Sequence, residues 1–311
     1  MKIQILQGNC IETLQKLDDK SINTCITSPP YWGLRNYNDE EKQLGMEDTP
    51  EEFVNNLVKV FREVKRVLRD DGTVWLNLGD SYSSGGRTTT TNQSLRGDKD
   101  YGVTRPKPSK GIKPKDLIGI PWRVALALQQ DGWYLRQDII WHKPNPMPES
   151  VKDRCTKAHE YIFLLSKNVK YYFDNEAIKE DSKYHGKDKR SDKGNIRYEG
   201  KRTSNKDTKA QQSFVTINPK KNKRSVWTIT TKPFKGAHFA TFPKDLIEPC
   251  VLAGCPKGGT VLDPFGGSGT TGIVAVNHNR HAVLCELSQE YIDLAKDRIN
   301  QEGGMFVDIT E

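Results

Sequence analysis

Ser28-Pro29-Pro30-Tyr31 combine residue types that can do chemistry together in this 311-residue chain. They follow an apolar run at residues 22–26, and the predicted strand must end there because two consecutive prolines fix φ and donate no backbone hydrogen bond. The Ser28 hydroxyl, the Pro29 carbonyl and the Tyr31 ring can then hold the flat exocyclic amine of a nucleobase. A base in a duplex reaches such a pocket only by leaving the stack, and a flipped base is held by stacking and by hydrogen bonds to its edge. The alternative interpretation is a structural Pro-Pro turn.

A glycine-rich segment far downstream has the pattern of a nucleotide-binding loop. It lies between a predicted buried strand at residues 260–263 and a predicted helix at residues 270–278, which is the context that such a loop requires. Gly267, Gly269 and Gly272 satisfy the G-x-G-x-x-G pattern. Both NAD and S-adenosylmethionine can use this arrangement.

Two acidic residues beside the glycines indicate which ligand the loop holds. Glu286 ends the next predicted strand, nineteen positions after Gly267, where a carboxylate can accept hydrogen bonds from a ribose diol. Asp263 ends the strand before the glycines and is followed by Pro264 and Phe265. A carboxylate at that place suits a cationic methionine ammonium better than a pyrophosphate, so these residues favour S-adenosylmethionine over NAD.

Further segments, in the same order along the chain, complete a family pattern. They are Gly8-Asn9-Cys10, residues 71–80 (DGTVWLNLGD), residues 140–150 (IWHKPNPMPES), His159-Glu160-Tyr161-Ile162, Val226-Trp227 and residues 238–243 (HFATFP). With the two motifs above, the chain resembles the N4-cytosine/N6-adenine DNA methyltransferase family in its β-group order, in which the catalytic motif precedes the glycine loop. The family usually has Gly-Asp where this chain has Gly8-Asn9. The side chain expected to contact the adenosyl group there is therefore an uncharged amide and not a carboxylate.

The resemblance implies transfer of a methyl group from S-adenosylmethionine to the exocyclic amine of a flipped base in DNA. The predicted catalytic residues are Ser28, Pro29, Pro30 and Tyr31. Hydrogen bonds from the amine to the Ser28 hydroxyl and the Pro29 carbonyl would draw its nitrogen toward tetrahedral geometry, and Tyr31 would stack on the base. The predicted cofactor-binding residues are Asn9, Phe239, Pro243, Asp263, Phe265, Gly266, Gly267, Gly269 and Glu286.

The target base and the substrate class have alternatives. The resemblance associates Ser at position 28 with N4-cytosine enzymes and Asp or Asn with N6-adenine enzymes, so we favour N4 of cytosine and keep N6 of adenine as the alternative. An RNA or protein N-methyltransferase could share both motifs. An NAD-dependent oxidoreductase would leave the Ser-Pro-Pro-Tyr segment unexplained, and a non-catalytic DNA-binding module would explain the charge alone.

Positive charge is concentrated between residues 182 and 235. This stretch holds sixteen Lys or Arg and four Asp or Glu, a net charge of +12 in a chain of net charge +8. It is also rich in small polar residues and cannot bury a large core, so one interpretation is a disordered linker. We favour a target-recognition region that neutralises phosphates of double-stranded DNA. Its predicted DNA-binding residues are Lys201, Arg202, Lys220, Lys221, Lys223 and Arg224.

Alternating strands and helices predict an α/β fold with a doubly wound, mostly parallel sheet of the Rossmann-like type, whose ligands bind at the carboxyl ends of the strands. The predicted helices lie at about residues 49–70, 116–130, 244–252 and 289–300, and further strands at about 73–78, 138–142 and 161–165. The predicted domains are a catalytic half at residues 1–173 with a mobile insertion at about 83–111, the basic insertion at 174–235, and a cofactor-binding half at 236–311. Such a fold can bring Ser28 and Asp263 together, although 235 positions separate them.

The cysteines and the apolar runs indicate the cellular setting. Six cysteines without a Cys-x-x-Cys pair predict reduced thiols and no metal site. Neither a signal peptide nor an apolar run of about 18 residues is present, so we expect a soluble, cytoplasmic protein. A cognate restriction endonuclease is a candidate partner, and the sequence sets neither the recognition sequence nor the oligomeric state.

Overall fold

The computed structural model describes residues 1–33, 43–83, 112–182, 219–231, 242–303 and 307–310. The strands in these ranges are β1 (Lys2–Gln7), β2 (Ile22–Thr27), β3 (Leu68–Leu78), β4 (Tyr134–His142), β5 (His159–Ser166), β6 (Glu180–Asp181), β7 (Lys220–Lys221), β8 (Val226–Thr228), β9 (Thr260–Asp263), β10 (His281–Glu286) and β11 (Asp308–Thr310). The α-helices are α1 (Cys10–Leu14), α2 (Pro50–Val67), α3 (Ile120–Gln130), α4 (Lys244–Gly254), α5 (Thr270–Asn277) and α6 (Gln289–Glu302).

Nine of the described strands form one sheet in the order β11-β1-β10-β9-β2-β3-β5-β4-β8. Strand β5 is antiparallel to both of its neighbours, and the other neighbouring pairs run parallel. The predicted doubly wound, mostly parallel sheet is confirmed. Its carboxyl ends on β1, β2, β9 and β10 share one edge because these four strands are parallel neighbours.

Side chains of β3 show how the helices cover both faces of the sheet. Val74, Leu76 and Leu78 belong to the buried cluster that includes apolar residues of α1, α2 and α3. Trp75 points to the opposite face, where α4 approaches so closely that a Cβ on Gly254 would lie 2.6 Å from the indole nitrogen. Helices α1 to α3 therefore pack on one face, and α4 packs on the other beside α5.

Helix α2 begins as the sequence predicts and ends earlier. The Thr49 hydroxyl accepts from the backbone N–H of Glu52 at 3.2 Å, and the Glu52 carboxylate accepts from the backbone N–H of Thr49 at 3.3 Å, so a capping box starts the helix. The helix ends at Val67, however, because Leu68 is extended. Strand β3 follows without a loop: Leu68 pairs with Ile22, and a shift in register accommodates the residues before Thr73. The predicted helix end at about residue 70 was wrong.

Other predicted boundaries also differ from the structure. Helix α3 begins at Ile120 and not near residue 116, since Gly119 adopts a left-handed φ of +78°. The distant carboxylate of Asp80 caps this helix by accepting from the N–H groups of Gly119 (3.0 Å) and Ile120 (3.2 Å). Strands β4 and β5 begin at Tyr134 and His159, earlier than predicted, because each pairs with the other along its full length.

The chain forms two compact units, each with most of its contacts within itself. One comprises residues 1–174 and 225–311, and the other comprises residues 175–224. In the second unit β6 and β7 pair antiparallel. The predicted insertion at about 83–111 falls outside the described residues from position 84 onward, and the predicted domain limits stay a prediction. None of the described helices is long and apolar enough to cross a membrane.

Candidate active site

The ends of β2 and β9 bring the two sequence motifs together. These strands pair in parallel through Thr24 with Val261 and Cys25 with Leu262. The chain leads from β2 to its neighbour β3 on one side and from β9 to its neighbour β10 on the other. The strand order therefore reverses between β2 and β9, and ligands bind at such switch points in doubly wound folds. At the edge, the Thr27 hydroxyl donates to Asp263 Oδ1 at 2.6 Å. The residues that follow each strand therefore face a common space.

That space is one cleft with an empty volume of about 1120 Å³, counted out to open solvent. The predicted residues that line it are Asn9, Ser28, Pro29, Pro30, Tyr31, Asp263, Phe265, Gly266, Gly267 and Glu286. Pro243 and Gly269 do not line the cleft: Pro243 precedes α4 and Gly269 precedes α5. Phe239 lies outside the described residues.

Several cleft residues were not predicted from the sequence. They are Gly8, Cys10, Gln43, Leu44, Phe242, Pro264, Ser268, Thr270, Cys285, Leu287, Ser288 and Tyr291. Most of them are next in sequence to a predicted site residue, and that proximity in the sequence could have identified them. Gln43, Leu44 and Tyr291 carry no local signal, because a loop and a helix face bring them to the cleft from elsewhere.

Asp263 is held firmly at the base of the cleft and is only 2% exposed. Besides the Thr27 hydroxyl, Oδ1 accepts from the backbone N–H of Phe265 at 3.1 Å, and Oδ2 accepts from the Thr271 hydroxyl at 2.6 Å. Burial raises the pKa of Asp263, and these hydrogen bonds oppose the rise. The carboxylate therefore fixes the start of the glycine loop.

Glu286 ties the glycine loop to the end of β10. Its carboxylate accepts from the backbone N–H of Gly267 at 2.8 Å and from that of Ser288 at 2.9 Å, and its carbonyl accepts from Gly8 at 2.9 Å. Burial raises the pKa of Glu286, and the nearby charge of Asp263 raises it further. The buried carboxyl of Asp263 and the half-buried carboxyl of Glu286, on adjacent strands, thus make a negative region that a cationic ligand would stabilise.

Arg298 of α6 supports the glycine loop from behind. Its Nη1 donates to the Ser268 carbonyl at 2.6 Å, to the Ser268 hydroxyl at 2.7 Å and to the Thr270 hydroxyl at 3.0 Å. Gly267 and Gly269 have left-handed φ angles of +50° and +77°, so the loop adopts a conformation that other residues disfavour. No motif in the sequence indicated that an arginine 30 positions away holds this loop.

Tyr31 and Ser28 occupy the other wall of the cleft. Tyr31 is half-buried, and its hydroxyl donates to Glu160 Oε2 at 2.8 Å. Ser28 is half-buried, while Pro29 is buried. Asn9 lies beyond the end of β1, on the other side of β10 from this wall, and its Oδ1 accepts from the backbone N–H of Ile11 at 3.0 Å and caps α1.

The cysteines near the cleft are neutral thiols. Cys10 and Cys285 line it, and burial raises the pKa of each to about 12. Cys250 is 1% exposed and its Sγ lies 3.7 Å from the Leu246 carbonyl. In the described ranges no cluster of three or more His, Cys, Asp or Glu could hold a metal ion.

The predicted DNA-binding residues lie partly in the second unit. Lys220 and Lys221 form β7, opposite Glu180 and Asp181 of β6. Glu180 lies 2.7 Å from Arg224 and 3.5 Å from Lys221. Burial raises the pKa of Glu180, but the hydrogen bond and charge of Arg224 outweigh it, so the net shift is downward. Lys223 is also described, whereas Lys201 and Arg202 lie outside the described residues.

The fold and the cleft define an α/β enzyme of the Rossmann-like methyltransferase class. The family described as DNA methylase (N6_N4_Mtase) matches residues 22–297, and the chain belongs to that family. The chain is therefore a DNA methyltransferase of the N4/N6 type, and the predicted resemblance is confirmed.

Similar proteins cover nearly the whole chain. The Type II methyltransferase M.SmaI of Serratia marcescens is 49% identical over 299 residues, which are 95% of this chain and 90% of the relative. The Type II methyltransferase M.Cfr9I of Citrobacter freundii is 47% identical over 298 residues, with 96% and 88% covered. The solved structure of a DNA modification methylase of Thermus thermophilus, in complex with S-adenosyl-L-methionine, aligns with a TM-score of 0.59 and 23% identity over 100% of both chains, which shows the fold alone.

Proposed function

We propose that this enzyme transfers a methyl group from S-adenosylmethionine to N4 of a flipped cytosine at a specific site in double-stranded DNA. The observation that carries the proposal is the single cleft into which both Ser28-Pro29-Pro30-Tyr31 and the glycine loop open. The Ser at position 28 supports cytosine N4 as the target through the family association. The names of the Type II relatives support a role in restriction-modification beside a cognate endonuclease.

The donor set beneath the glycine loop fits S-adenosylmethionine. When bound, this cofactor supplies a methyl group on a cationic sulfonium, a good leaving group. The buried carboxyl of Asp263 and the half-buried carboxyl of Glu286 favour a cation because their negative charges repel each other. Glu286 is also placed at the strand end where a carboxylate accepts from ribose hydroxyls, although its oxygens already accept from Gly267 and Ser288. Phe265 and Tyr291 add apolar surface to the wall of the cleft.

The chain's own residues activate the amine by orienting it. An aromatic amine is a poor nucleophile because its lone pair is delocalised into the ring. The Ser28 hydroxyl and the Pro29 carbonyl accept its two N–H groups and stabilise the positive charge that develops on nitrogen. Tyr31 stacks on the base and fixes the line of attack. As the C–N bond formed, the C–S bond of the bound cofactor would break and S-adenosylhomocysteine would leave, while the nitrogen would release one proton to solvent.

Methylated nucleosides give a direct test of this function. Purified enzyme incubated with labelled S-adenosylmethionine and unmethylated plasmid DNA should transfer label to DNA, with no transfer to RNA or protein acceptors. Digestion and mass spectrometry should then show N4-methylcytosine. N6-methyladenine as the only product would overturn the choice of base, and absence of any methylated DNA would overturn the proposal.

Replacing Arg298 with methionine should weaken binding of S-adenosylmethionine about tenfold or more. The change removes the Nη1 group, whose two N–H bonds are shared among three oxygens of Ser268 and Thr270, and a hydrogen bond to a charged group contributes roughly 1.5–3 kcal/mol. Isothermal titration calorimetry measures the effect. Lys296→Met removes a cation from the same helix and serves as the matched control. Unchanged affinity in the Arg298 variant would show that the loop keeps its shape without this residue.

The salt dependence of DNA binding tests the basic residues of the second unit. Alanine at Lys220, Lys221, Lys223 and Arg224 should weaken binding and flatten the salt dependence, because each lost phosphate contact lowers the slope by about one. Glu180→Gln should act in the opposite direction, since it removes the negative charge beside Arg224 and Lys221 and so raises the positive charge available to phosphates.

Dissociation constants measured at several salt concentrations check both changes. The matched control is alanine at the exposed Lys16 and Lys59, which lie on the first unit. A wild-type slope in the fourfold variant would remove these residues from the DNA interface.

A further inference from the structure

We infer that Glu160 is a positioning residue for catalysis, which holds the Tyr31 ring in the orientation needed to stack on the flipped base. The inference rests on the proposed function, because it assigns the base-stacking role to Tyr31. It also gives a role to three segments of the family pattern that the mechanism above does not use: the LNLGD segment at residues 76–80, the WHKP segment at residues 141–144 and His159-Glu160-Tyr161-Ile162.

The Glu160 carboxylate is the centre of a small polar network behind the cleft. Its Oε2 accepts from the Tyr31 hydroxyl at 2.8 Å and from Asn77 Nδ2 at 3.2 Å. Its Oε1 pairs with the ammonium of Lys143, which also lies 4.2 Å from the centre of the Trp141 ring. Asn77 is fixed in turn, because its amide donates to the Tyr161 carbonyl at 3.1 Å. The acceptor for the Tyr31 hydroxyl is therefore itself held by two further groups, Asn77 and Lys143.

Gly79 limits the position of the Tyr31 ring from the β3 side. A Cβ at position 79 would lie 2.6 Å from Tyr31 Cε2 and 2.9 Å from Cζ. The Tyr31 ring thus lies against position 79, where only glycine leaves room for it, and its hydroxyl reaches Glu160. Because Tyr31 also lines the cleft, a ring fixed at both of these points presents one defined surface to a base.

The loss of solvation in the ion pair between Lys143 and Glu160 indicates that the pair does more than stabilise the fold. The side chains of Lys143 and Glu160 are only 19% and 14% exposed. Partly buried ion pairs lose solvation, and apolar replacements of similar volume are often no less stable. Here the pair instead places an ionised acceptor at the Tyr31 hydroxyl, and bonds to charged acceptors are the stronger class.

Steady-state kinetics of Glu160→Ala, Glu160→Gln, Tyr31→Phe and the Tyr31→Phe/Glu160→Ala double variant test the inference on unmethylated plasmid DNA. Glu160→Ala and Tyr31→Phe should each lower kcat about tenfold and leave the dissociation constant for S-adenosylmethionine unchanged, because a misplaced reacting group lowers the rate more than the binding. Glu160→Gln should recover most of kcat, since its amide oxygen still accepts from the hydroxyl. The double variant should be no slower than either single variant.

The outcomes separate this inference from the proposed function. Full multiplication of the two single effects in the double variant would overturn the positioning role, as would full kcat in Tyr31→Phe. Loss of DNA methylation in the wild-type enzyme would instead overturn the proposed function. If Glu160→Ala does not fold, Gly79→Ala provides a second route: its Cβ displaces the Tyr31 ring, so it should lower kcat with cofactor affinity retained, and full kcat in that variant would contradict the inference.

Discussion

Replacing Tyr31 with alanine is expected to lower the rate of methyl transfer to DNA by at least about 100-fold, with the affinity for S-adenosylmethionine near the wild-type value. One stacked base contact contributes roughly 1–3 kcal/mol, and misplacing the amine lowers the rate by a further factor of about 100. Cofactor affinity should persist because the carboxyl groups of Asp263 and Glu286 do not depend on the Tyr31 ring. Single-turnover transfer of labelled methyl groups and calorimetric titration of the cofactor measure the two quantities.

The matched control for this prediction is Tyr134→Ala. Tyr134 is 45% exposed and is the first residue of β4. Lys143 follows the last residue of the same strand, so this variant removes a tyrosine at the end of β4 that lies away from Lys143. Its methyl transfer should equal that of the wild type. Full activity in Tyr31→Ala would show that another group holds the base, and a parallel loss of cofactor binding would assign Tyr31 to the cofactor site.

The parts of this protein that the sequence predicts well are those set by local backbone chemistry. Pro29 and Pro30 end β2, Gly267 and Gly269 adopt the left-handed conformations of a tight loop, and the Thr49 capping box starts α2. In each case the residue type itself restricts φ or supplies the cap, so no knowledge of the rest of the chain is needed.

The boundaries that the sequence misplaces are set by partners in the sheet. The polar residues before Thr73 look like the end of a helix and a turn, but Leu68 pairs with Ile22 and draws them into β3. The first turn of α3 depends on Asp80, whose carboxylate reaches it from 39 positions away. Periodicity within a segment carries no information about either partner.

The supporting residues of the site were missed for the same reason. Glu160 contacts Tyr31 across 129 positions, and Thr27 contacts Asp263 across 236. Arg298 lies on a helix whose other residues show an ordinary amphipathic pattern. A motif locates the residues that meet the ligand, whereas the residues that hold them are fixed only when strands and helices pack.

Replacing Asp263 with asparagine is expected to weaken binding of S-adenosylmethionine by about 10- to 100-fold and to flatten the pH dependence of that binding. The amide keeps nearly the same shape, but the site loses one negative charge, and contacts that involve a charged partner contribute roughly 1.5–3 kcal/mol. In the wild type, burial raises the pKa of Asp263, and the carboxyl is protonated below this raised pKa. Affinity for a cation should therefore rise with pH as Asp263 and Glu286 ionise and then level off. Calorimetric titrations across acidic and neutral pH measure this curve.

The stability of the cofactor-free protein should move in the opposite direction with pH. A carboxyl whose pKa is raised by folding holds its proton more tightly in the folded state, so the free energy of unfolding falls as pH rises from the unfolded pKa through the folded one. Asp263→Asn removes this pH-dependent loss of stability, because asparagine has no proton to release. The variant also lacks the Asp263 charge, which adds to the effect of burial in raising the pKa of Glu286. Above that pH window the variant should melt at the same or a higher temperature than the wild type without cofactor, and at a lower temperature with saturating S-adenosylmethionine. A variant that loses stability without cofactor and keeps wild-type affinity would mean that Asp263 supports the loop and contributes no charge to binding.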